Sequence, residues 1–292
     1  VKILLFGGAG QLGYEISTRA ADLEFEVVSP VVTEVDITDH DQVVKVTRSA
    51  SPDVVINCAA YTAVDKAEEE AELAFRINRD GAFNIADACA LTKARFIHVS
   101  TDYVFDGSLG RPLKEEDPTN PLSVYGRSKW EGEERIRGVL GNDALIVRTQ
   151  SLYGQKGFNF VYTMLKLFAD REVVNVVDDQ WVSPTWAGWL GEVLLDCARN
   201  TVGGTLHASC EGTVSWYDFA SEIRRLALPH FEGRPVARVE RTTAAGLKRP
   251  APRPTFSAFD TTRITSEFGR PPMRWKDALE AFLREIHVLE AR

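Results

Sequence analysis

Tyr125 and Lys129 stand four residues apart in the stretch Leu122–Arg137, LSVYGRSKWEGEERIR. At 3.6 residues per turn, positions i and i+4 share one face of a helix. A free tyrosine has a pKa of about 10, too high for ready proton exchange at neutral pH. A neighbouring ammonium stabilises the phenolate and lowers that value. Such a tyrosine can act as a general acid toward a carbonyl under reduction, or as a base toward an alcohol under oxidation. On an exposed amphipathic helix the same spacing would do nothing. The chemistry therefore depends on what the rest of the chain places around the pair.

The glycines near the N-terminus supply a second chemical signal. Lys2–Phe6 reads as a buried strand, followed by Gly7-Gly8-Ala9-Gly10-Gln11-Leu12-Gly13 and helix-compatible sequence to about Ala21. The run fits G-x-G-x-x-G from Gly8 and G-x-x-G-x-x-G from Gly7. Either way, glycine permits a tight turn that brings backbone N–H groups against a dinucleotide pyrophosphate at a helix N-terminus. A second strand is expected at about Phe25–Val28. It ends in Ser29-Pro30, neither an acid for NADH nor a base for NADPH, so either cofactor is admitted. Asp36–Asp39 reads as a short strand running into a helix cap.

Three further strands complete the pattern. Asp53–Asn57 leads into Cys58-Ala59-Ala60-Tyr61-Thr62, small residues that suit a cofactor lying across a sheet edge. Arg95–Val99 ends in Ser100-Thr101-Asp102-Tyr103, where a hydroxyl could donate to a substrate carbonyl. Asp143–Val147 is the fifth strand. Helices are expected over Glu68–Ile77 and Asn78–Thr92, and a loop over Leu109–Pro121.

The regular alternation loosens after residue 150. Helices are expected over Asn159–Ala169, Pro184–Arg199, Ser215–Ala227, Asp260–Phe268 and Trp275–Leu289, with strands at Val173–Val177 and Gly203–Ala208. Ser215 should cap its helix. Lys248–Pro254 is basic, Pro-rich and loop-like. The fold class is thus α/β, a Rossmann-type doubly wound parallel sheet in residues 1–150. A smaller substrate-binding lobe, 151–292, would return segments to the first domain.

Composition excludes several function classes. The chain has 292 residues and a net charge of −8, with no dense basic patch to bind nucleic acid or an anionic membrane. No run approaches the ~20 apolar residues of a membrane span. VKILLF is only one strand long and runs straight into glycines, unlike a signal peptide. Cys58, Cys89, Cys197 and Cys210 form no C-x-x-C pair and read as reduced thiols of a cytoplasmic protein. The five histidines are scattered, so no metal site is expected.

Together, GGAGQLG, NCAAYTAVD (57–65), STDYVFDG, YGRSK, RTQSLYG, DDQWVSPTWA and KRPAPRP resemble the extended short-chain dehydrogenases/reductases. More narrowly, they resemble the dTDP-4-dehydrorhamnose reductase family over nearly the whole chain. The resemblance implies catalysis by Thr101, Tyr125 and Lys129. It implies NADPH or NADH held by Gly7, Gly10, Gln11, Leu12, Gly13, Asp36, Ile37, Ala59, Ala60, Tyr61, Tyr125 and Lys129. Substrate contacts would be Thr101, Asp102, Tyr103 and Ser151, and the substrate a nucleotide-linked 4-keto-6-deoxy sugar, dTDP-4-dehydro-L-rhamnose above others. It admits a homodimer. Some members use magnesium near a residue equivalent to Glu15, but one glutamate on a helix face predicts no metal site. A reductase or epimerase for another nucleotide sugar would share most of these motifs. So would a non-catalytic subunit resembling the regulatory subunit of methionine adenosyltransferase.

Three places depart from the family pattern. Ser151 replaces a substrate-side tryptophan. Trp181-Val182 precede Ser183-Pro184-Thr185, where glycine or alanine is usual. Ser257-Ala258-Phe259-Asp260 replaces Ser-Arg-Leu-Asp. Another aromatic, such as Tyr153, Trp181 or Trp186, is expected to fill the space of the missing indole; the alternative is an enlarged pocket for a bulkier, more polar or differently configured sugar.

Overall fold

The structure is a computed structural model that describes residues 1–269 and 271–289. Five strands form in chain order: β1 (Lys2–Phe6), β2 (Glu26–Val28), β3 (Val54–Asn57), β4 (Arg95–Thr101) and β5 (Leu145–Thr149). A sixth strand, Gly204–His207, comes from the second half of the chain and pairs with β5. The sheet order is Gly204–His207, β5, β4, β3, β1, β2, and every pairing is parallel.

Alternate residues of each strand go to opposite faces, as the period of two demands. Ile3, Leu5, Ile56, Ile97 and Val147 face one core, covered by helix α1 (Gln11–Ala21) and the helix Ala187–Arg199. Leu4, Phe6, Val55, Phe96 and Ile146 face the other, covered by His40–Ala50, Ala82–Thr92 and Val124–Leu140. Both faces are buried, which is why the strands read as continuous apolar runs. Strand order reverses beside β1, between β2 and β3. In an open α/β sheet the crevice outside the strand ends at that point takes the ligand.

Later segments join the core on one face of the sheet, Phe219, Ile223, Leu279 and Phe282 clustering with Ile3, Leu5 and Val147. Val173–Val177 pairs in parallel with Arg238–Thr242, and the helices Phe160–Asp170 and Trp216–Ala227 pack together. Asn159 and Ser215 cap these helices through their side chains. The last three positions of the expected 151–292 lobe lie outside the described residues.

Several elements differ from expectation. Asp36–Asp39 forms no strand. Its polar groups bond locally in an exposed turn, Thr38 N–H donating to Asp36 Oδ1 and Asp36 N–H to Gln42 Oε1. Asp39 does cap the helix His40–Ala50. The two helices expected at 68–92 form one path, Ala71–Phe75 passing through a π-helical segment, Arg76–Gly81, into Ala82–Thr92. β4 and β5 each run two residues further than expected, because Ser100 and Thr101 pair in register with Arg148 and Thr149.

Candidate active site

The glycine turn is built by close backbone approach. Gly7 has φ +82°, and a Cβ there would stand 2.5 Å from the Ala59 nitrogen. A Cβ on Gly13 would meet the Gly7 carbonyl oxygen at 2.3 Å. Only glycine permits this packing of β1, α1 and the end of β3. Gly10 caps α1 without a side-chain hydrogen bond, so the first-turn N–H groups of the helix are left for a ligand. These features fit a dinucleotide pyrophosphate.

A cavity of about 540 Å³ runs from Gly10, Gln11 and Leu12 past Cys58 and Ala60 to Thr101, Asp102, Tyr103, Tyr125 and Lys129, and on to Ser151 and Phe158. The structure thus brings all three expected catalytic residues and all four substrate-side residues to one space. Gly7, Gly13, Ala59 and Tyr61 are not among its lining residues, though Gly7 packs against Ala59 and Gly13 against Gly7. Tyr61 is pinned through its backbone to Asn78, whose Nδ2 also donates to Ser128 Oγ at 2.9 Å. Asp36 and Ile37 do not line this cavity, and Ile37 packs in the core beneath the helix Ala82–Thr92.

Tyr125 and Lys129 sit near the start of the helix Val124–Leu140, capped by Ser123, whose hydroxyl accepts from Gly126 N–H at 3.1 Å. A Cβ on Gly126 would lie 2.2 Å from the Tyr103 carbonyl oxygen. Glycine at this position therefore lets the Tyr125 turn press against the Thr101–Tyr103 segment. Tyr103 and Tyr125 meet edge to face at 5.4 Å.

The electrostatics correct one expectation. Burial pushes the Tyr125 phenol up; a hydrogen bond with Thr101 opposes this, and the neighbouring Asp102 and Tyr103 add to the rise. Lys129 is not among the charges that act on the phenol, and its Nζ is engaged elsewhere. It donates to the Val99 carbonyl at 2.7 Å and lies 3.2 Å from His98 Nε2. Burial lowers the Lys129 pKa to about 8, against the pull of Glu133 and Cys58. Burial also lifts Asp102 to about 6, although Ser257 and Thr101 hydrogen bonds favour its charge. Burial thus holds the Tyr125 proton more tightly than in a free tyrosine.

The aromatic expectation fails as well. Tyr153 is fully buried among Phe219 and Phe282, Trp186 belongs to the main core, and Trp181 is 41% exposed. None of the three lines the cavity; the aromatic that does beyond Ser151 is Phe158, 96% exposed. The three departures from the family pattern meet in one network. Gln150 Nε2 donates to the Ser257 carbonyl at 2.8 Å, Ser183 N–H donates to Gln150 Oε1 at 2.9 Å, and Ser257 N–H donates to the Trp181 carbonyl at 2.9 Å.

Sequence reasoning missed three supporting groups. Glu133 is buried eight residues beyond Tyr125 and accepts from Ser100, Arg148 and Arg137. Asn57 and His98 are register partners across β3 and β4. Arg249 and Arg253 line a second cavity, of about 370 Å³, that shares Tyr103 with the first and includes Trp216. Arg253 holds Asp65 at 2.9 Å. The basic character of Lys248–Pro254 was the signal for that pair.

Residues 1–288 match the family described as RmlD substrate binding domain. A dTDP-4-dehydrorhamnose reductase of Aggregatibacter actinomycetemcomitans is 39% identical over 96% of this chain and 97% of its own. The chain belongs to the RmlD, or dTDP-4-dehydrorhamnose reductase, family. A dTDP-4-keto-6-deoxy-D-glucose reductase of Streptomyces niveus is 37% identical over 94% of each chain. The crystal structure of a Bacillus anthracis dTDP-4-dehydrorhamnose reductase in complex with NADP superposes with TM-score 0.92 at 34% identity, covering 97% of this chain and 99% of that one.

Membership makes the chain an oxidoreductase that uses a nicotinamide cofactor. Among the described residues no three His, Cys, Asp or Glu side chains group as a metal site. The Glu15 carboxylate is taken by Arg19 and by the Gln155 N–H. No helix among the described residues is long and apolar enough to cross a membrane.

Proposed function

We propose that this enzyme reduces the C4 ketone of dTDP-4-dehydro-L-rhamnose, with NADPH or NADH as the hydride source. The observation that carries this reading is the meeting of the buried Tyr125 phenol, Thr101 and Lys129 in one cavity with the N-terminus of α1. When bound, the reduced nicotinamide supplies a hydride to the carbonyl carbon. Tyr125 delivers the proton to the oxygen, and Thr101 donates a hydrogen bond to the same oxygen as charge develops there. Lys129 holds the nicotinamide ribose. Asp102 and Tyr103 orient the sugar.

The test is NADPH oxidation with dTDP-4-dehydro-L-rhamnose against dTDP-4-keto-6-deoxy-D-glucose and the UDP- and GDP-linked 4-keto sugars. Highest kcat/KM on the first supports the proposal; turnover of none of them refutes it. The second reading, a different dTDP-4-keto-6-deoxy sugar, is favoured by the lack of a tryptophan wall at Ser151. It would be shown by a better kcat/KM on the glucose-configured ketone.

Ser29 Oγ is engaged with the Leu5 carbonyl at 3.1 Å, and no charged side chain stands at Ser29-Pro30 to choose between the cofactors. The expected kcat/KM ratio of NADPH to NADH is within about tenfold to a hundredfold, or about 1.4–2.8 kcal/mol. A ratio far beyond that would mean that a charge from elsewhere decides.

The second cavity suits the nucleotide diphosphate, with Arg249 and Arg253 as its cations and Trp216 as a flat wall. Arg249→Ala is expected to raise the KM for the nucleotide sugar about tenfold or more, since a hydrogen bond to a charged group is worth about 1.5–3 kcal/mol. Cofactor affinity should hold. Steady-state kinetics with unchanged KM would place the diphosphate elsewhere.

A further inference from the structure

Lys129 is a buried cation whose partners do not suit a cation. The Val99 carbonyl accepts one of its hydrogens, but the next group, His98 Nε2 at 3.2 Å, is itself placed to donate. The reason lies one step further back. Ala59 N–H donates to Asn57 Oδ1 at 3.0 Å, and a backbone N–H cannot accept, so the amide of Asn57 is fixed in orientation. Its Nδ2 then faces His98 Nδ1 at 3.1 Å and must donate to it. A neutral imidazole accepting at Nδ1 carries its proton on Nε2. That proton points at Lys129 Nζ.

His98 cannot relieve the conflict by changing state. Swapping its tautomer would set an Nδ1–H against the Asn57 amide hydrogens. Protonating it would bury a second cation, and burial followed by the Lys129 charge already holds its pKa well below the ordinary value. A neutral amine fits without conflict, since its lone pair accepts from Nε2–H while an N–H donates to Val99. The other ionisable groups around Lys129 are Glu133 and Tyr125 on its own helix and Cys58 after β3. Glu133 is already held by Arg148 and Arg137, and burial lifts the Cys58 thiol to about 12, so neither is a free counterion.

We propose that His98, locked by Asn57 as the Nε2–H tautomer, is a positioning residue that opposes the Lys129 ammonium and so lets this lysine exchange its proton near neutral pH. Lys129 is then a group that can exchange its proton with the cavity, not a fixed charge. The inference rests on the assignment of Lys129 above, but its test does not require turnover.

The test is NMR of the cofactor-free protein. In the wild type, His98 should show a pyrrole-type nitrogen at Nε2 and a pyridine-type nitrogen at Nδ1. The opposite tautomer overturns the proposal even if every variant fails to fold. The Cε resonance of Lys129, identified by its loss in Lys129→Arg, should titrate near pH 8. Asn57→Asp replaces the donor to Nδ1 by an acceptor, moves the imidazole proton to Nδ1 and leaves Nε2 to accept. The Lys129 midpoint should then rise by a unit or more.

The new carboxylate also adds charge, and a cycle with His98→Leu separates the two effects. Most of the rise should vanish when Asn57→Asp is made in the His98→Leu background. Equal rises in both backgrounds, or an ordinary lysine midpoint in the wild type, would overturn the proposal. NADPH binding is measured on the same samples. Its failure in the wild type would count against the cofactor reading, whereas the tautomer and the midpoints speak only to the network.

Discussion

Tyr125→Phe is expected to lower kcat by about 10²–10⁴, the loss that follows removal of a positioned general acid. NADPH affinity, measured by fluorescence titration, should stay within a few-fold of the wild type. The substitution deletes one buried hydroxyl and leaves the ring against Tyr103. The partner that loses a contact is Thr101, whose Oγ1 keeps Asp102 Oδ1 at 3.1 Å and the Tyr103 N–H at 3.2 Å. The fold should therefore survive, and thermal melting checks that it does.

The direction of the Tyr125 shift adds a pH signature. Burial, reinforced by Asp102, keeps the phenol protonated throughout the ordinary range, so the acid needed for reduction is always loaded. The rate of reduction should not fall with rising pH because of Tyr125. A fall should instead follow Lys129, whose ammonium is lost as pH rises through about 8. Near-wild-type turnover by Tyr125→Phe would remove the phenol from the chemistry.

How much of this was legible depended on whether the deciding contacts were local. Lys2–Phe6 and Asp53–Asn57 announced themselves because a strand buried on both faces needs an unbroken apolar run. The glycine turn and the Tyr125–Lys129 face were visible because each is set by spacing along a single element. The ends of β4 and β5 reach further than an apolar run indicates because the residues that extend them, Ser100, Thr101, Arg148 and Thr149, are polar and are held by pairing across the sheet, Arg148 also with His207. Asn57 and His98 are 41 positions apart, so no window along the chain joins them.

The sign of the Tyr125 shift could not be read from an i, i+4 spacing either. It comes first from the burial of the phenol, which only the packed fold creates, while Lys129 Nζ is engaged by the Val99 carbonyl of β4. In the same way Ser151, Trp181 and the Ser257–Asp260 run looked like three unrelated departures from a family pattern. Folding joins their neighbourhoods through the Gln150 side chain.

Glu133→Gln is expected to destabilise the protein by about 3–5 kcal/mol, the usual effect of breaking a buried ion pair from one side. Burial works against the Glu133 carboxylate. Arg148, then Arg137 and the Ser100 hydroxyl, outweigh it and bring the pKa down to about 2. Arg148 is itself almost fully buried, its Nη2 at 2.7 Å and Nε at 3.0 Å from the two carboxylate oxygens. The amide would leave that guanidinium without its counterion beneath the strand end that carries Thr101.

The sign with pH follows from the depressed value. The stabilisation is complete above about 4.5, the ordinary value for this group, and is lost as pH falls toward about 2. Urea unfolding of the two proteins should therefore show a full gap at pH 7 that narrows steadily below about 4.5. Because Glu133 is also the first charge favouring the Lys129 ammonium, the variant should bring Lys129's titration to lower pH. A gap within about 0.5 kcal/mol at pH 7, the range of ordinary surface substitutions, would show that Arg148 finds its compensation elsewhere. An unmoved Lys129 would show that the two ends of this helix face are electrostatically independent.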